Sequence, residues 1–180
     1  MGVYSKFNRP IIVVDCDPQW TLLFEKEKEA ILAALGSKAL MVEHIGSTAV
    51  PGLAAKPVID IAVGIQNLAD APALIPCIER LGYSYEPTFE QLVPGRRFFW
   101  KGTSTVHTYH LHLAELDHPV LLRPLQFRDY LRKHPDAVEQ YGVLKKELAK
   151  SCVQDLDAYV AGKTGFVESV MKQIEKESQE

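Results

Sequence analysis

A small-residue turn and a carboxylate lie in two adjacent strand-like segments of the chain. Gly46 and Ser47 follow the apolar segment 39–45, and Asp60 lies inside the apolar segment 57–65. Backbone N–H groups at such a turn, where a short helix would begin, suit a phosphate group. A carboxylate offers the oxygen ligands that Mg²⁺ prefers. The combination predicts a site that handles phosphate or nucleotidyl groups.

Asp60 is the single acid in an otherwise apolar strand. Strand alternation places it on the same face as Val58 and Ala62. A carboxylate in that position must be paired, hydrogen-bonded or metal-bound, because desolvating it alone is costly. We predict that Asp60 is a catalytic residue and a metal ligand. The alternatives are a structural ion pair with Lys56 or an arginine, or a position near the sheet edge.

Two histidines alternate along a later strand. His110 and His112 are two residues apart and project their imidazoles to one side, whereas His107 is expected on the opposite side of a regular strand. Neutral imidazole ligates metals or acts as a general base, and imidazolium holds phosphate. We predict that Asp60 and His112 are catalytic, and that Asp60, His110 and His112 line one concavity and hold Mg²⁺ or another divalent cation. The alternative is a pair of structural histidines.

Basic side chains flank an aromatic run in segment 96–101. Arg97 and Lys101 share one strand face with Phe99. Arginine and lysine suit phosphate oxygens, and an aromatic ring can stack on a base. The alternative is a polar face whose aromatic neighbours fill the core. The predicted substrate- or phosphate-binding residues are Gly46, Ser47, Lys56, Arg97 and Lys101.

Two further side chains are candidates for the same site. His44 precedes the turn by two residues, and either looks into the site or bonds within the sheet. Lys163 lies in a Gly-Lys-Thr sequence that resembles the end of a phosphate-binding P-loop, but that loop needs a glycine where Asp157 stands. Lys163 is therefore a candidate from a C-terminal helix and not from a P-loop.

Hydrophobic periodicity predicts the elements that position these residues. A helix begins near Asp17 and Pro18 and ends at Gly36, and a second covers 70–81 with Pro76 inside it. Short strands are predicted at 11–15, 39–45, 57–65, 83–86, 96–101 and 105–114, and further helices at 121–133, 135–150 and 155–176. The fold class is α+β: a mixed β-sheet with flanking helices over 10–115, then a helical layer over 119–178.

Composition narrows the range of functions. The chain has 180 residues, which suits one domain, and a net charge of −3, which argues against broad nucleic-acid binding. The three cysteines show no metal-binding spacing and suggest reduced thiols. We expect a cytoplasmic protein without a signal peptide or membrane span, and with a nucleotide or phosphorylated small molecule as its ligand. No oligomeric state is predicted.

Five ordered segments resemble the GrpB-like family, also called uncharacterised protein family 0157. They are 44–61 (HIGSTAVPGLAAKPVIDI), 96–102, 110–113, 127–131 and 159–163, and they span nearly the whole chain. The resemblance implies the fold of the nucleotidyltransferase superfamily. It also implies that related domains occur alone or fused to other enzymes, including dephospho-coenzyme A kinase.

The superfamily pattern has a Gly-Ser turn, two acids one residue apart on the next strand, and a third acid on a later strand. Asp60 matches the first acid, but Ala62 replaces the second and histidines replace the third. Two-metal catalysis needs several bridging carboxylates. The leading hypothesis is a nucleotidyltransferase-like protein that binds a nucleotide with a divalent metal and transfers a nucleotidyl group to an acceptor. The alternatives are a non-catalytic ligand-binding or regulatory module and a His/Asp metal-dependent phosphoesterase.

Overall fold

The computed structural model describes residues 10–179, so expectations about residues 1–9 lie outside the described range. The helices are α1 (Gln19–Leu35), α2 (Ala71–Glu79), α3 (Pro119–Lys133), α4 (Pro135–Ser151) and α5 (Leu156–Glu177). The strands are β1 (Met41–Ile45), β2 (Ile59–Ile65), β3 (Ser84–Tyr85), β4 (Arg96–Gly102) and β5 (His107–Glu115). No helix in this range is long and apolar enough to cross a membrane.

The strands form one mixed sheet in the order β1-β2-β5-β4-β3. Strands β2 and β5 are parallel, and the other neighbouring pairs are antiparallel. The parallel register places Asp60 beside His110 and Ala62 beside His112. Pairing of the two central strands therefore brings the predicted acid and histidines together.

The two faces of the sheet are covered differently. One face packs fully against α1 and α2 through a core that includes Ile61, Phe99 and Leu111. On the other face, Leu121 of α3 covers Ala62 and the end of β5. Each buried aliphatic or aromatic side chain contributes about 1.5–3 kcal/mol. Asp60 of β2 and His110 and His112 of β5 lie on this second face of the sheet. Leu121 and its neighbours do not cover them, and a cavity opens there.

The C-terminal helices pack on one another and form the second layer. Tyr141 of α4 stacks on Phe166 of α5 with ring centroids 4.6 Å apart, and Phe127 of α3 meets Tyr141 edge-on. Aromatic pairs of this kind contribute about 0.5–1.5 kcal/mol beyond their buried area. Their packing fixes the three helices relative to one another.

The predicted α+β architecture is confirmed, and most element positions agree. Gly36 ends α1 with a φ of 56°, a conformation that glycine adopts without strain. Pro76 lies inside α2, which still begins at Ala71. The strand predicted at 11–15 is wrong, because only Val14 pairs, with Ala55. Ile11 instead packs against the C-terminal helices, so this segment connects the layers.

Candidate functional site

A cavity of about 310 Å³ lies between the open part of the sheet and the C-terminal helices. Asp60, His110 and His112 line it from the sheet, which agrees with the prediction that they share one concavity. Lys145 and Lys163 line it from α4 and α5. The cavity is thus built from parts of the chain that are far apart in sequence.

Asp60 contacts two imidazoles on its Oδ1 side and the main chain of Gly46 on its Oδ2 side. His110 Nδ1 lies 3.1 Å and His112 Nε2 lies 3.9 Å from Asp60 Oδ1. On the Oδ2 side the main chain of Gly46 approaches so closely that a Cβ there would lie 2.5 Å from Oδ2. Burial raises the pKa of Asp60, but the imidazole N–H groups of His110 and His112 outweigh burial and hold the pKa below its ordinary value. Asp60 is therefore ionised.

The hydrogen bonds constrain the tautomers of the two imidazoles. His110 donates from Nδ1 to ionised Asp60, and a neutral His110 accepts at Nε2 from Nδ1 of His107, 2.9 Å away. Arg96 Nη1 donates to His112 Nδ1 at 3.3 Å, so His112 carries its proton on Nε2, towards Asp60. Burial and the charge of Arg96 lower the pKa of His112, although Asp60 partly opposes them. His112 is neutral at physiological pH.

The Gly46–Ser47 turn is tied to the strand that carries Asp60. Gly46 has a φ of 72°, which favours glycine, and a short 3₁₀ turn begins at Ser47. Thr48 Oγ1 donates to the carbonyl oxygen of Val58 at 3.1 Å and accepts from Nε2 of His44 at 3.0 Å. Ser47 lines the cavity beside this turn.

His44 supports the turn and is not among the residues that line the cavity. Its ring stacks on Phe24 with centroids 4.7 Å apart, beneath the turn. Burial lowers the pKa of His44 to about 4, so the ring is neutral. Of the two possibilities raised by the sequence, the structure favours bonding around the sheet over direct exposure to the cavity.

Three lysines converge on the helix side of the cavity. Lys163 Nζ lies 4.6 Å and Lys56 Nζ lies 5.4 Å from the ring centroid of Tyr159. Lys145 Nζ lies 4.5 Å from the ring centroid of Tyr141. A cation over an aromatic ring gains about 0.5–2 kcal/mol, so these rings favour each lysine at this spacing when it is charged. Burial lowers the pKa of Lys163, and the charge of Asp60 partly restores it.

Arg97 and Lys101 lie elsewhere, which corrects their predicted place in the site. Arg97 Nη1 pairs with Glu90 at 2.9 Å. Lys101 Nζ pairs with Glu27 of α1 at 2.9 Å, on the opposite face of the sheet. Strand alternation is the reason, because the residue that shares the histidines' face is Arg96, one position before Arg97.

Three residues on the cavity side were not predicted from the sequence. Arg96 and Arg97 lie on opposite faces of β4, and the sequence alone did not show which face carries the cavity. His107 reaches His110 because a register shift at Lys101 and Gly102 turns it from the side expected for a regular strand. Lys145 lies in a helix whose many charges gave no signal of burial.

The donor set does not fit a divalent cation in this arrangement. Among residues 10–179, no group of three or more His, Cys, Asp or Glu side chains is disposed to hold a metal ion. In the neutral imidazoles, the lone pair of His110 on Nε2 faces Nδ1 of His107, and that of His112 on Nδ1 faces the guanidinium of Arg96. Asp60 is the one carboxylate among the described residues that line the cavity, beside the basic side chains of Lys56, Arg96, Lys145 and Lys163.

Comparisons with known proteins place the chain among bacterial relatives. A family model described as "GrpB protein" matches residues 10–173. The UPF0157 protein YqkA of Bacillus subtilis is 33% identical over 90% of this chain and 46% of its own length. A dephospho-CoA kinase of Mycolicibacterium paratuberculosis is 30% identical over 86% of this chain and 43% of its own length. The chain thus spans less than half of each of these two relatives.

A solved structure agrees with the whole architecture. The crystal structure of the conserved protein GrpB from Enterococcus faecalis is 39% identical in sequence and superposes with a TM-score of 0.85. The match covers 94% of this chain and 100% of that one. The two proteins therefore share one fold over the matched range.

Proposed function

The chain belongs to the GrpB protein family, and from this membership and the charge of its cavity we propose that it binds a nucleotide or another phosphorylated small molecule. One observation carries the proposal. Lys56, Arg96, Lys145 and Lys163 line the same cavity, against the single carboxylate of Asp60. Side chains of one sign that face a partly enclosed space attract a ligand of the opposite sign.

The arrangement divides the ligand's contacts between two walls. Arg96 and the Ser47 turn face the cavity from the sheet layer, and the lysines face it from the loop before β2 and from the helices. Hydrogen bonds to charged groups contribute about 1.5–3 kcal/mol each, so loss of one cation should lower affinity about tenfold or more. Asp60 keeps the two imidazoles in place and repels any anion from its own side of the cavity.

Nucleotidyl transfer is the second candidate, and the surroundings of Ala62 count against it. Ala62 is fully buried among Ile45, Ala114 and Leu121 beneath α3, so a second acid is missing beside Asp60. The predicted catalytic roles of Asp60 and His112 stay proposals that apply only if transfer occurs. The low pKa of Asp60 makes it a weak general base. We therefore favour binding over transfer and over the metal-dependent phosphoesterase.

In this proposal, Mg²⁺ binds only together with the ligand, as the ion that accompanies its phosphates. Asp60 is the group that such an ion would approach, and no step depends on it. The proposed compartment is the cytoplasm, because Cys16, Cys77 and Cys152 are free thiols, the state that a reducing compartment maintains.

Calorimetric titration tests the proposal, with a panel of nucleoside triphosphates and dephospho-coenzyme A, each with and without Mg²⁺. Dephospho-coenzyme A is included because a related region occurs in a dephospho-CoA kinase. We expect binding of at least one compound, and an affinity at least about tenfold lower for Arg96→Met. Arg97→Met is the matched control, since it removes the next arginine of the same strand, which pairs with Glu90 outside the cavity.

Two results would overturn the proposal: no compound binds, or both arginine variants lose the same affinity. Assay of pyrophosphate release from the bound triphosphate decides between the candidates. Release by the wild type and not by Asp60→Asn supports transfer, and binding without release supports the binding protein.

A further inference from the structure

Lys145 is a buried lysine without a compensating partner. Its residue is 2% exposed, and its Nζ, shielded from solvent, has no hydrogen-bond partner among the described residues. It nevertheless lines the cavity from α4. A charged ammonium has three donors to satisfy, and burying it unpaired is costly. The position therefore favours the neutral amine while no ligand is bound.

The charged groups that act on Lys145 are of its own sign. They are Lys163, from α5, and Lys56, from the loop before β2. Tyr141 of α4 and Tyr159 of α5 contribute no charge, because burial raises the pKa of both hydroxyls. Asp60 of β2 acts on Lys163. Burial, with the repulsion from Lys163 and Lys56, lowers the pKa of Lys145 to about 7.

An anion in the cavity would reverse this balance. Its negative charge would offset the positive charges of Lys56 and Lys163. It would also favour protonation of the Lys145 amine. A charge at a distance of a few ångströms acts strongly where water is excluded. The gain in binding free energy grows with the negative charge of the ligand. The arrangement therefore favours polyanionic phosphate groups over singly charged anions.

We propose that the cavity takes up a proton together with a polyanionic phosphate ligand, and that the Nζ of Lys145 binds this proton. The proposal rests on the proposed function and adds the ligand's charge class and the linkage. The proton comes from the buffer and binds to the amine lone pair, and no covalent bond to the ligand forms. By linkage, the affinity falls as pH rises above neutrality, and the bound ligand in turn raises the pH at which Lys145 releases its proton.

Calorimetry of the full chain with inorganic pyrophosphate measures the uptake. Titrations at pH 8 in Tris and in HEPES, which differ in ionisation enthalpy, give the number of protons taken up per ligand. At this pH only about one-tenth of Lys145 is charged before binding, so wild type should take up close to one proton more than Lys145→Met. Changes in the protonation of pyrophosphate itself are common to all variants and cancel in the difference.

The matched control is Lys146→Met. Lys146 is the next residue of α4, is exposed, and pairs with Asp15 at 2.6 Å away from the cavity. This variant should keep the proton uptake and the affinity of the wild type. The ratio of wild-type to Lys145→Met affinity should fall steadily from pH 6.5 to pH 9, because the wild type has a charged amine to offer only when it can gain the proton.

A second measurement needs only the wild-type fold. In protein with ¹³C-labelled lysine, the Cε resonance of Lys145 is assigned by its absence from Lys145→Met or, should that variant not fold, from Lys145→Arg. We expect its titration midpoint to rise by about one pH unit or more when pyrophosphate is added.

The outcomes separate the two proposals. If pyrophosphate gives neither heat nor any change in the lysine resonances, the anion site itself fails. If pyrophosphate binds but the wild type and Lys145→Met take up the same number of protons, or the Lys145 midpoint stays where it was, the linkage fails and the binding site stands.

Discussion

Two lysines on opposite sides of the sheet, the half-buried Lys101 and the buried Lys145, show what an amine does with and without a partner. Lys101 Nζ contacts both carboxylate oxygens of Glu27, at 2.9 and 3.1 Å, and lies over the rings of Tyr83 and Tyr109. Lys145 contacts an aromatic ring as well, but no acid among residues 10–179 neutralises it. Lys101 thus has its counter-charge within the protein, whereas the counter-charge that we propose for Lys145 comes from a ligand.

We interpret Lys101 as a structural lysine and propose a ligand-binding role for Lys145. The ion pair of Lys101 with Glu27 holds α1 on the sheet, and neither charge needs another partner. Lys56, Lys145 and Lys163, by contrast, lie close together against their mutual repulsion, at a cost in stability. Proteins commonly retain such a cost where it supports ligand binding.

The largest expected change in the free energy of unfolding comes from removing the paired lysine, Lys101. Lys101→Met leaves the Glu27 carboxylate, 7% exposed, without its cation. We expect the free energy of unfolding to fall by about 3 kcal/mol, measured by urea denaturation. Adding Glu27→Gln should recover most of the loss. Equal losses in the single and double variants would show that packing, and not the pair, connects α1 to the sheet.

Lys145→Met should have the opposite sign. Methionine fills a similar volume and removes an amine that is buried without a partner. We expect the ligand-free protein to gain about 2 kcal/mol at pH 7, in the same denaturation experiment. A loss of stability would mean that Lys145 is satisfied in the free protein, and the contrast with Lys101 would disappear.

The pH dependence of stability sharpens the contrast further. The pKa of Lys145 is about 7 in the folded chain and 10.5 as its ordinary value. Between these values the unfolded state binds more protons, so the free energy of unfolding of the wild type should rise with pH. The expected contribution is about 1 kcal/mol per pH unit from pH 7 to 9. Denaturation of Lys145→Met at each pH should show a flatter rise, and equal slopes would contradict the assignment.

The smallest effect is expected at an exposed pair. Lys38 Nζ lies 2.8 Å from Asp70 Oδ2, but the two side chains are 58% and 38% exposed. Lys38→Met should change the free energy of unfolding by less than about 0.5 kcal/mol, and salt should reduce even that. A loss as large as that of Lys101→Met would show that burial does not set the value of these pairs.

Local patterns in the sequence were enough for most of the fold. The apolar stripe before Gly36 and the alternation through Asp60 depend on neighbours a few residues away, and the structure agrees with both. The segment 11–15 has the same β-branched composition as a strand. It fails as one because its partners, on the C-terminal helices, are more than a hundred residues away along the chain.

The candidate site was predictable only in part, for the same reason. The alternation that puts Asp60 on one strand face and His110 and His112 on another follows from the sequence, whereas their meeting depends on the pairing of β2 with β5. The choice of Arg96 over Arg97 depends on which face of the sheet carries the cavity, and the position of His107 depends on a register shift. Lys145 becomes buried only through contacts between layers, which no local pattern records.

The order in which the ribosome makes the chain has a consequence for the cavity. Lys163 lies on α5, which emerges after every strand of the sheet has been made. A nascent chain with a finished sheet therefore has only one wall of the cavity and only part of its positive charge. Ligand would select molecules whose last helix has docked and, by mass action, would hold that helix in place. Occupancy of the cavity would thus report that synthesis and assembly of the described elements are complete.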